Sequence, residues 1–217
     1  MKVLAFNGSP RKTWNTATLL KHALKGAASR GAATELIHLY DLNFKGCISC
    51  FKCKTIGGQS YGRCAVKDGL TPILQKVAAA DALILGSPIY FATVTGEMRS
   101  FMERLLFPFL TYTEPPQSLF PRQMPTGFIY TMNVTAEIAQ DWGYGQHFDK
   151  NAQYLQMIFG TSEPLCCFDT YQFKDYAKVL ATRFDAAHKA KRRQEIFPQD
   201  CAKALEMGIR FSQVVDK

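Results

Sequence analysis

Short apolar segments alternate with longer segments of helical periodicity along most of this chain of 217 residues. The apolar segments are continuous, which is typical of strands buried on both faces of a parallel sheet. They lie at residues 2–7, 34–40, 81–86, 126–132 and 163–168. Helices are predicted at 15–29, from Asp68, from Thr95 or Gly96, at 148–159 and over the remainder. This alternation predicts an α/β protein whose sheet is covered by helices on both faces.

Five predicted strands of these lengths favour one particular strand order. The order 2-1-3-4-5, in a three-layer sandwich, is the flavodoxin-like arrangement, and its ligands bind at the carboxyl ends of the strands. No internal repeat, low-complexity tract or linker composition divides the chain. We therefore expect residues 1–217 to form a single flavodoxin-like domain with a cysteine-rich loop at residues 43–67.

The composition agrees with a folded protein and restricts its partners. Apolar residues make up 47% of the chain and charged residues 20%, which allows a full buried core and argues against disorder. The net charge of +8 suits either nucleic acid or a phosphate-bearing cofactor. The basic run at residues 189–193 has no nucleic-acid motif beside it. We interpret it as the solvated face of a helix and expect no nucleic-acid partner.

Targeting signals and cysteine usage predict the compartment. The apolar start of the chain is cut off at Asn7, so it does not form a secretory signal. The most apolar stretch, residues 77–85, is short and is interrupted by Asp81, so we expect no membrane span. Seven cysteines are an odd number and too few for a disulfide scaffold of this size. These features predict a cytoplasmic protein with reduced thiols.

The first predicted strand runs into a polar loop that leads directly into a helix. Residues 8–18 read Gly-Ser-Pro-Arg-Lys-Thr-Trp-Asn-Thr-Ala-Thr. Free backbone N–H groups and the helix dipole favour a phosphate at such a position, and Arg11 and Lys12 add positive charge. The spacing excludes both the G-x-G-x-x-G dinucleotide fingerprint and the Walker loop. The sequence therefore predicts a phosphate site of another kind.

Two predicted connections are too long to be plain turns. The loop at residues 43–67 holds Cys47, Cys50, Cys53 and Cys64 in the pattern C-x2-C-x2-C-x10-C. The compact run gathers three thiolates in a small volume, as a [4Fe–4S] cluster needs. Four thiolates can also close a tetrahedral zinc site, or they can remain reduced without a metal. The other loop, residues 108–125, holds five of the ten prolines and is interpreted as a stiff surface cover.

Three motifs together resemble those of NADPH-dependent FMN reductases and iron–sulfur flavoproteins, which have flavodoxin-like folds. The first is Gly-Ser-Pro-Arg-Lys-x-x-Asn-Thr-x-Thr at residues 8–18. The second is Gly-Ser-Pro-Ile-Tyr-Phe at 86–91, followed by Gly-Glu-Met-Arg-Ser-Phe-Met-Glu-Arg at 96–104. The third is the cysteine loop, although its last spacer of ten residues is longer than that of the iron–sulfur flavoproteins.

This resemblance implies a set of cofactor contacts and no catalytic side chain, because the flavin N5 carries the chemistry. The residues that would hold the FMN phosphate are Ser9, Arg11, Lys12, Asn15, Thr16 and Thr18. Those that would flank the ring are Pro88, Ile89, Tyr90 and Phe91. Those that would contact the ring edge are Thr131, Met132 and Asn133. The metal ligands would be the four cysteines of the 43–67 loop.

The resemblance implies an FMN-dependent oxidoreductase that accepts electrons from NAD(P)H and passes them to a small-molecule or protein acceptor. One alternative is an iron–sulfur flavoprotein electron carrier whose [4Fe–4S] cluster exchanges electrons with ferredoxin-like partners. Another is a non-enzymatic module that binds zinc and an anion. Because members of the family build active sites between subunits, we expect a homodimer or a homotetramer.

Overall fold

A computed structural model describes residues 1–213 of the chain. Its strands are β1 (Lys2–Asn7), β2 (Ala33–His38), β3 (Ala82–Tyr90), β4 (Thr93–Val94), β5 (Met124–Thr131) and β6 (Gly160–Cys167). Parallel pairing gives the order β2-β1-β3-β5-β6, and the two-residue β4 pairs antiparallel with the end of β3. The predicted order of five parallel strands is therefore confirmed, with β4 as an addition.

Helices cover both faces of this sheet. They are α1 (Asn15–Ala28), α2 (Thr71–Ala78), α3 (Gly96–Leu106), α4 (Ala136–Asp141), α5 (Tyr144–Phe159), α6 (Ala186–Glu195) and α7 (Phe197–Phe211). One core cluster joins the sheet to α1 and α7 through side chains such as Leu20 and Met207. The other joins the opposite face to α2, α3 and α5 through side chains such as Ile73, Phe101 and Leu155. The three layers are those that the strand–helix alternation predicts.

Helices α1 and α7 cross with their backbones in contact, and two glycines allow it. A Cβ atom added at Gly208 would lie 1.8 Å from the carbonyl oxygen of Ala23, and one added at Gly26 would lie 2.0 Å from that of Leu205. Both distances are far inside van der Waals contact. Only glycine therefore fits at these two positions.

The structure differs from the predicted elements chiefly after β5. Helix α4 was not predicted, and α5 begins at Tyr144 rather than at residue 148 because Gly143, in the left-handed region at φ 71°, separates the two helices. Residues 168–185 are not helical apart from a single 3-10 turn at Tyr176–Lys178. Residues 214–217, which were predicted to continue the last helix, lie outside the described part of the chain.

Strand register brings several strand ends together at one edge of the sheet. Asn7 at the end of β1 is paired with Gly86 of β3, and Pro88 of β3 is paired with Thr131 at the end of β5. Such a carboxyl edge is where parallel sheets of this order bind ligands. Across residues 1–213, no helix combines the length and the apolar character that a membrane crossing requires.

Candidate cofactor pocket and cysteine loop

A pocket of about 100 Å³ opens at the carboxyl ends of β1, β3 and β5. Ten of the thirteen predicted cofactor residues line it: Ser9, Arg11, Asn15, Thr16, Pro88, Ile89, Tyr90, Thr131, Met132 and Asn133. The sequence reasoning missed three other lining residues, Trp14, Thr170 and Gln172. The two halves of the predicted site thus meet in one pocket although they lie more than 70 positions apart in the chain.

Three predicted cofactor residues lie outside the pocket. Lys12 turns away to pair with Asp41 at 2.5 Å on the surface. Thr18 lies further along α1 and is half-buried. Phe91 is fully exposed at the tip of the β3–β4 hairpin, in the left-handed region at φ 49°. The pocket's cationic side chain at this end is therefore Arg11, not Lys12.

The polar loop before α1, called the phosphate loop after its predicted ligand, is held in place by hydrogen bonds to buried side chains. Asn7 accepts from the Ser9 backbone N–H at 3.1 Å and donates to the Ser9 carbonyl at 3.2 Å. The Thr95 hydroxyl donates to the Gly8 carbonyl at 2.6 Å. Helix α1 then begins after Trp14, with neither a side-chain cap nor an acidic residue in its first turn. The first-turn amides and the helix dipole are thus left available to an anion.

A segment beyond β6, Tyr171 and Gln172, fastens onto the phosphate loop. Arg11 donates to the Gln172 carbonyl at 2.6 Å, and Trp14 and Asn15 donate to the Tyr171 carbonyl at 3.0 and 2.9 Å. Both polar atoms of the Asn15 side chain are therefore hydrogen-bonded, because its oxygen also accepts from Arg193 at 2.7 Å. Phosphate contacts at this end are thereby left chiefly to Ser9, Arg11 and the backbone amides.

The pocket also contains a buried polar atom that has no hydrogen-bond partner among the described residues. The Asn133 side-chain nitrogen donates to Gln172 at 2.5 Å, whereas its side-chain oxygen is buried and has no hydrogen-bond partner among the described residues. Burying such an acceptor is costly unless something donates to it. Asn133 lines the pocket, so a ligand N–H group is the natural donor.

The basic run of α6 is not a solvated face, contrary to the sequence interpretation. Lys189 is only 2% exposed, and its ammonium donates to the Asn133 carbonyl at 2.6 Å and pairs with Asp169. Burial lowers the pKa of Lys189, and Asp169 opposes that shift. Arg192 pairs with Asp200 at 2.5 Å. Lys189 thus supports the pocket wall, Arg192 also pairs with the protein, and Lys191 of the same run remains exposed.

The β3–β4 hairpin at the mouth of the pocket is held by His147 of α5. Its ring nitrogen Nε2 accepts from the Val94 backbone N–H at 3.3 Å and lies 3.1 Å from the Asn151 amide nitrogen. Burial lowers the pKa of His147, and the positive charge of Arg99 lowers it further. An imidazole that accepts a backbone N–H must be neutral at that nitrogen.

The cysteine loop folds back on itself so that all four predicted ligands line one small cavity of about 20 Å³. The turn between them uses Gly57 and Gly62, both in the left-handed region at φ 74° and 70°. The Gly62 N–H donates to the Cys53 carbonyl at 3.0 Å, which closes the spacer. The four thiols are not disulfide-bonded, and within residues 1–213 no three histidine, cysteine or acidic side chains lie close enough to hold a single metal ion.

A five-stranded parallel sheet in this order, with a polar pocket at its carboxyl edge, defines a flavodoxin-like protein. Residues 1–122, more than half of the chain, match the family of NADPH-dependent FMN reductases. The chain belongs to this family, as the sequence motifs predict.

Curated relatives of the chain are iron–sulfur flavoproteins, and solved structures share its fold. An iron–sulfur flavoprotein of Methanocaldococcus jannaschii is 40% identical over 104 residues, 48% of this chain and 51% of the relative. The chain thus spans about half the length of the curated relatives it matches. An NAD(P)H:quinone oxidoreductase of Methanothermobacter marburgensis has a TM-score of 0.71 at 12% identity over 98% of this chain and 96% of its own. An FMN-dependent NADH-azoreductase of Bacillus anthracis, solved in complex with FMN, has a TM-score of 0.66 at 14% identity over 98% and 100% of the two chains.

Proposed function

We propose that this protein is an FMN-dependent oxidoreductase that accepts electrons from NAD(P)H and passes them to a small-molecule or protein acceptor. The observation that carries the proposal is the pocket at the carboxyl edge of the sheet. It brings Arg11 and a helix N-terminus together with Asn133, whose buried side-chain oxygen has no hydrogen-bond partner among the described residues. Family membership supports the same cofactor.

The pocket residues fit FMN by their chemistry. Ser9, Arg11 and the first amides of α1 would hold the phosphate, and Asn133 would accept a hydrogen bond from an N–H group at the ring edge. The pocket is smaller than the roughly 300–1,000 Å³ typical of small-molecule sites. We therefore expect part of the ring to lie beside Tyr90, which is 44% exposed.

FMN held by these residues would supply the redox chemistry, namely hydride exchange with a nicotinamide. The protein's part is to bind, orient and shield. Pro88 and Ile89 form a wall of the pocket, and the hydrogen bond from Val94 to His147 fixes the hairpin that carries them. No side-chain acid or base is needed for this reaction, and none is proposed.

The test is an ultraviolet–visible spectrum of the anaerobically purified protein, recorded before and after adding NADPH. A flavin spectrum that bleaches within the mixing time supports the reductase. A flavin spectrum that responds only slowly favours the electron carrier described below. A featureless spectrum that added FMN cannot restore would refute FMN binding and leave the zinc- and anion-binding module as the better account.

We further propose that Cys47, Cys50, Cys53 and Cys64 hold a [4Fe–4S] cluster. Thiolates are the ligands such clusters use, and all four side chains line the same cavity. The curated relatives named iron–sulfur flavoproteins support this proposal. Because the cavity measures about 20 Å³, we expect the exposed Cys50 end of the loop to move outward when a cluster binds.

Such a cluster favours a second candidate function, that of an electron carrier exchanging electrons with ferredoxin-like partners. The competing zinc site would draw its four thiolates within about 4 Å of one another, given Zn–S bonds of about 2.3 Å, and within residues 1–213 no three such side chains lie close enough to hold a single metal ion. Iron, sulfide and zinc analysis of protein reconstituted anaerobically tests this. About four irons per chain are expected; zinc or no metal would overturn the cluster.

We propose that the protein acts in the cytoplasm as a homodimer or homotetramer. A groove of about 410 Å³ between α3, α5 and the cysteine loop supports self-association. Its lining is mostly apolar and includes Tyr154 and Met157, which are 47% and 40% exposed. Light scattering at working concentration tests it, and a monomer would contradict the oligomer.

A further inference from the structure

Arg104 of α3 is the largest side chain that is fully buried, and it lies against the cysteine cavity. A guanidinium has five N–H groups in a rigid plane. All five are used. Nε donates to the Cys64 sulfur at 2.9 Å. Nη1 donates to the Lys45 carbonyl at 2.9 Å and to Asp68 at 2.7 Å. Nη2 donates to the Val66 carbonyl at 3.3 Å and to Asp68 at 3.1 Å.

These contacts join the two ends of the cysteine loop. Lys45 lies before the first cysteine, whereas Val66 and Asp68 lie after the last. The bidentate pairing with Asp68 fixes the plane of the guanidinium, and that plane directs Nε at Cys64. This arrangement explains how a spacer of ten residues still delivers Cys64 to the cavity that the other three cysteines line.

We propose that Arg104 is a positioning residue for the cluster ligand Cys64, and that its Nε–H hydrogen bond to the sulfur raises the reduction potential of the cluster. This inference rests on the proposed cluster. A hydrogen bond to a ligating sulfur stabilises the extra negative charge that arrives on reduction. Lysine cannot replace the residue, because an ammonium lacks the planar fork that serves Asp68 and Cys64 together.

The first test compares Arg104→Lys with wild type after anaerobic reconstitution of the 217-residue chain. The midpoint potential of the cluster is measured by a redox titration followed by electron paramagnetic resonance. We expect a more negative potential in the variant, with or without some loss of iron. The matched control is Arg210→Lys in α7, on the opposite face of the sheet. Arg210 forms an exposed ion pair with Glu163, so this variant makes the same substitution at a surface pair. An unchanged potential and iron content in Arg104→Lys would overturn the inference.

A second measurement uses the wild-type protein and does not depend on the variant folding. With arginine labelled by ¹⁵N, pulsed paramagnetic resonance of the reduced cluster detects a nitrogen joined to a ligating sulfur through a hydrogen bond. A weak arginine ¹⁵N coupling is expected. If no arginine ¹⁵N coupling is detected in protein that contains a full complement of cluster, the hydrogen bond from Arg104 to Cys64 is refuted.

A third measurement separates this inference from the cluster itself. If wild type contains FMN but no iron, the cluster proposal fails, and the positioning role is then tested by amide hydrogen exchange. Loss of the Arg104 contacts should make the amides of residues 62–66 exchange about tenfold faster in Arg104→Lys than in Arg210→Lys, as expected for a lost charge-assisted hydrogen bond. Equal exchange in the two variants would show that Arg104 does not position the loop.

Discussion

The hydroxyl oxygens of Thr16 and Thr131 lie 2.7 Å apart, although 115 positions separate the two residues. Thr16 is in the first turn of α1 and Thr131 is the last residue of β5, and both side chains are buried. This hydrogen bond ties the phosphate loop to the strand end that leads to Asn133. The loop before α1 and the end of β5 are therefore joined by a buried hydrogen bond in the wall of the pocket.

Replacing Thr131 by valine removes this bond without changing the side-chain shape. The buried Thr16 hydroxyl is then unpaired, and we expect the free energy of unfolding to fall by about 1–3 kcal/mol. Urea denaturation of the flavin-free protein measures it. The matched control is Thr113→Val, because Thr113 makes the same kind of bond to Thr111 at 2.8 Å on the surface, where a change within about 0.5 kcal/mol is expected. Equal effects in the two variants would contradict the buried role.

Adjacent cations at the phosphate loop should differ sharply in their effect on FMN affinity. Arg11 lines the pocket, whereas Lys12 pairs with Asp41 on the surface. Arg11→Ala should weaken FMN binding at least about tenfold, since a charge-assisted hydrogen bond contributes about 1.5–3 kcal/mol. Lys12→Ala should weaken it less than about threefold, as surface charges do. Flavin fluorescence titration decides, and a larger loss for Lys12→Ala would reverse the assignment.

The crossing of α1 and α7 predicts opposite results for two glycine-to-alanine changes. Gly208→Ala places a methyl group on the Ala23 carbonyl, and we expect a loss of about 3 kcal/mol of stability. Gly145 lies in α5 with open space around it, so Gly145→Ala should increase stability by about 0.5 kcal/mol. Thermal and urea unfolding measure both. A stable Gly208→Ala protein would mean that the two helices can separate without cost.

Stability should fall in acid partly through His147. Its pKa is lowered in the folded protein by burial and by Arg99. Below the ordinary value of 6.5 the unfolded chain therefore binds a proton that the folded protein does not yet bind, and unfolding becomes easier as pH falls. His147→Gln, which can still accept from Val94, should show a shallower decline between pH 7.5 and 5. The pKa of His38 is also lowered by burial, so that residue should still cause part of the loss of stability in acid in the His147→Gln variant. Identical pH profiles for wild type and variant would exclude His147.

The parts of the site carried by strand ends were predictable from the sequence. Residues that follow an apolar strand in a parallel sheet emerge at its carboxyl edge, and the family resemblance implies cofactor contacts by Ser9, Pro88 and Asn133 there; the structure brings all three to one pocket. Local sequence does not determine which of two neighbouring cations turns inward. Arg11 reaches the pocket because the Gln172 carbonyl, 161 positions away, accepts its hydrogen bond.

The composition of the basic run of α6 indicates a solvated face, but the spacing of its residues does not. Lys189, Arg192 and Arg193 are spaced i, i+3 and i+4, which places them on one face of a helix. A helix face with this spacing of charges can pack against acidic groups as readily as it can face solvent. The acidic partners Asp169 and Asp200 lie outside α6, so their positions depend on how the segment after β6 folds back.

The closed spacer between Cys53 and Cys64 has a consequence for the spacing of the cysteines. Its ends are held by the bond from Gly62 to Cys53 and by the contact of Arg104 with Cys64, whereas the residues between them bulge outward as turns. Residues can be gained or lost in such a bulge at little entropic cost while the sulfur positions stay the same. The interval of ten residues before the fourth cysteine is therefore a property of the surface turns and not a requirement for bringing the four sulfur atoms to one cavity.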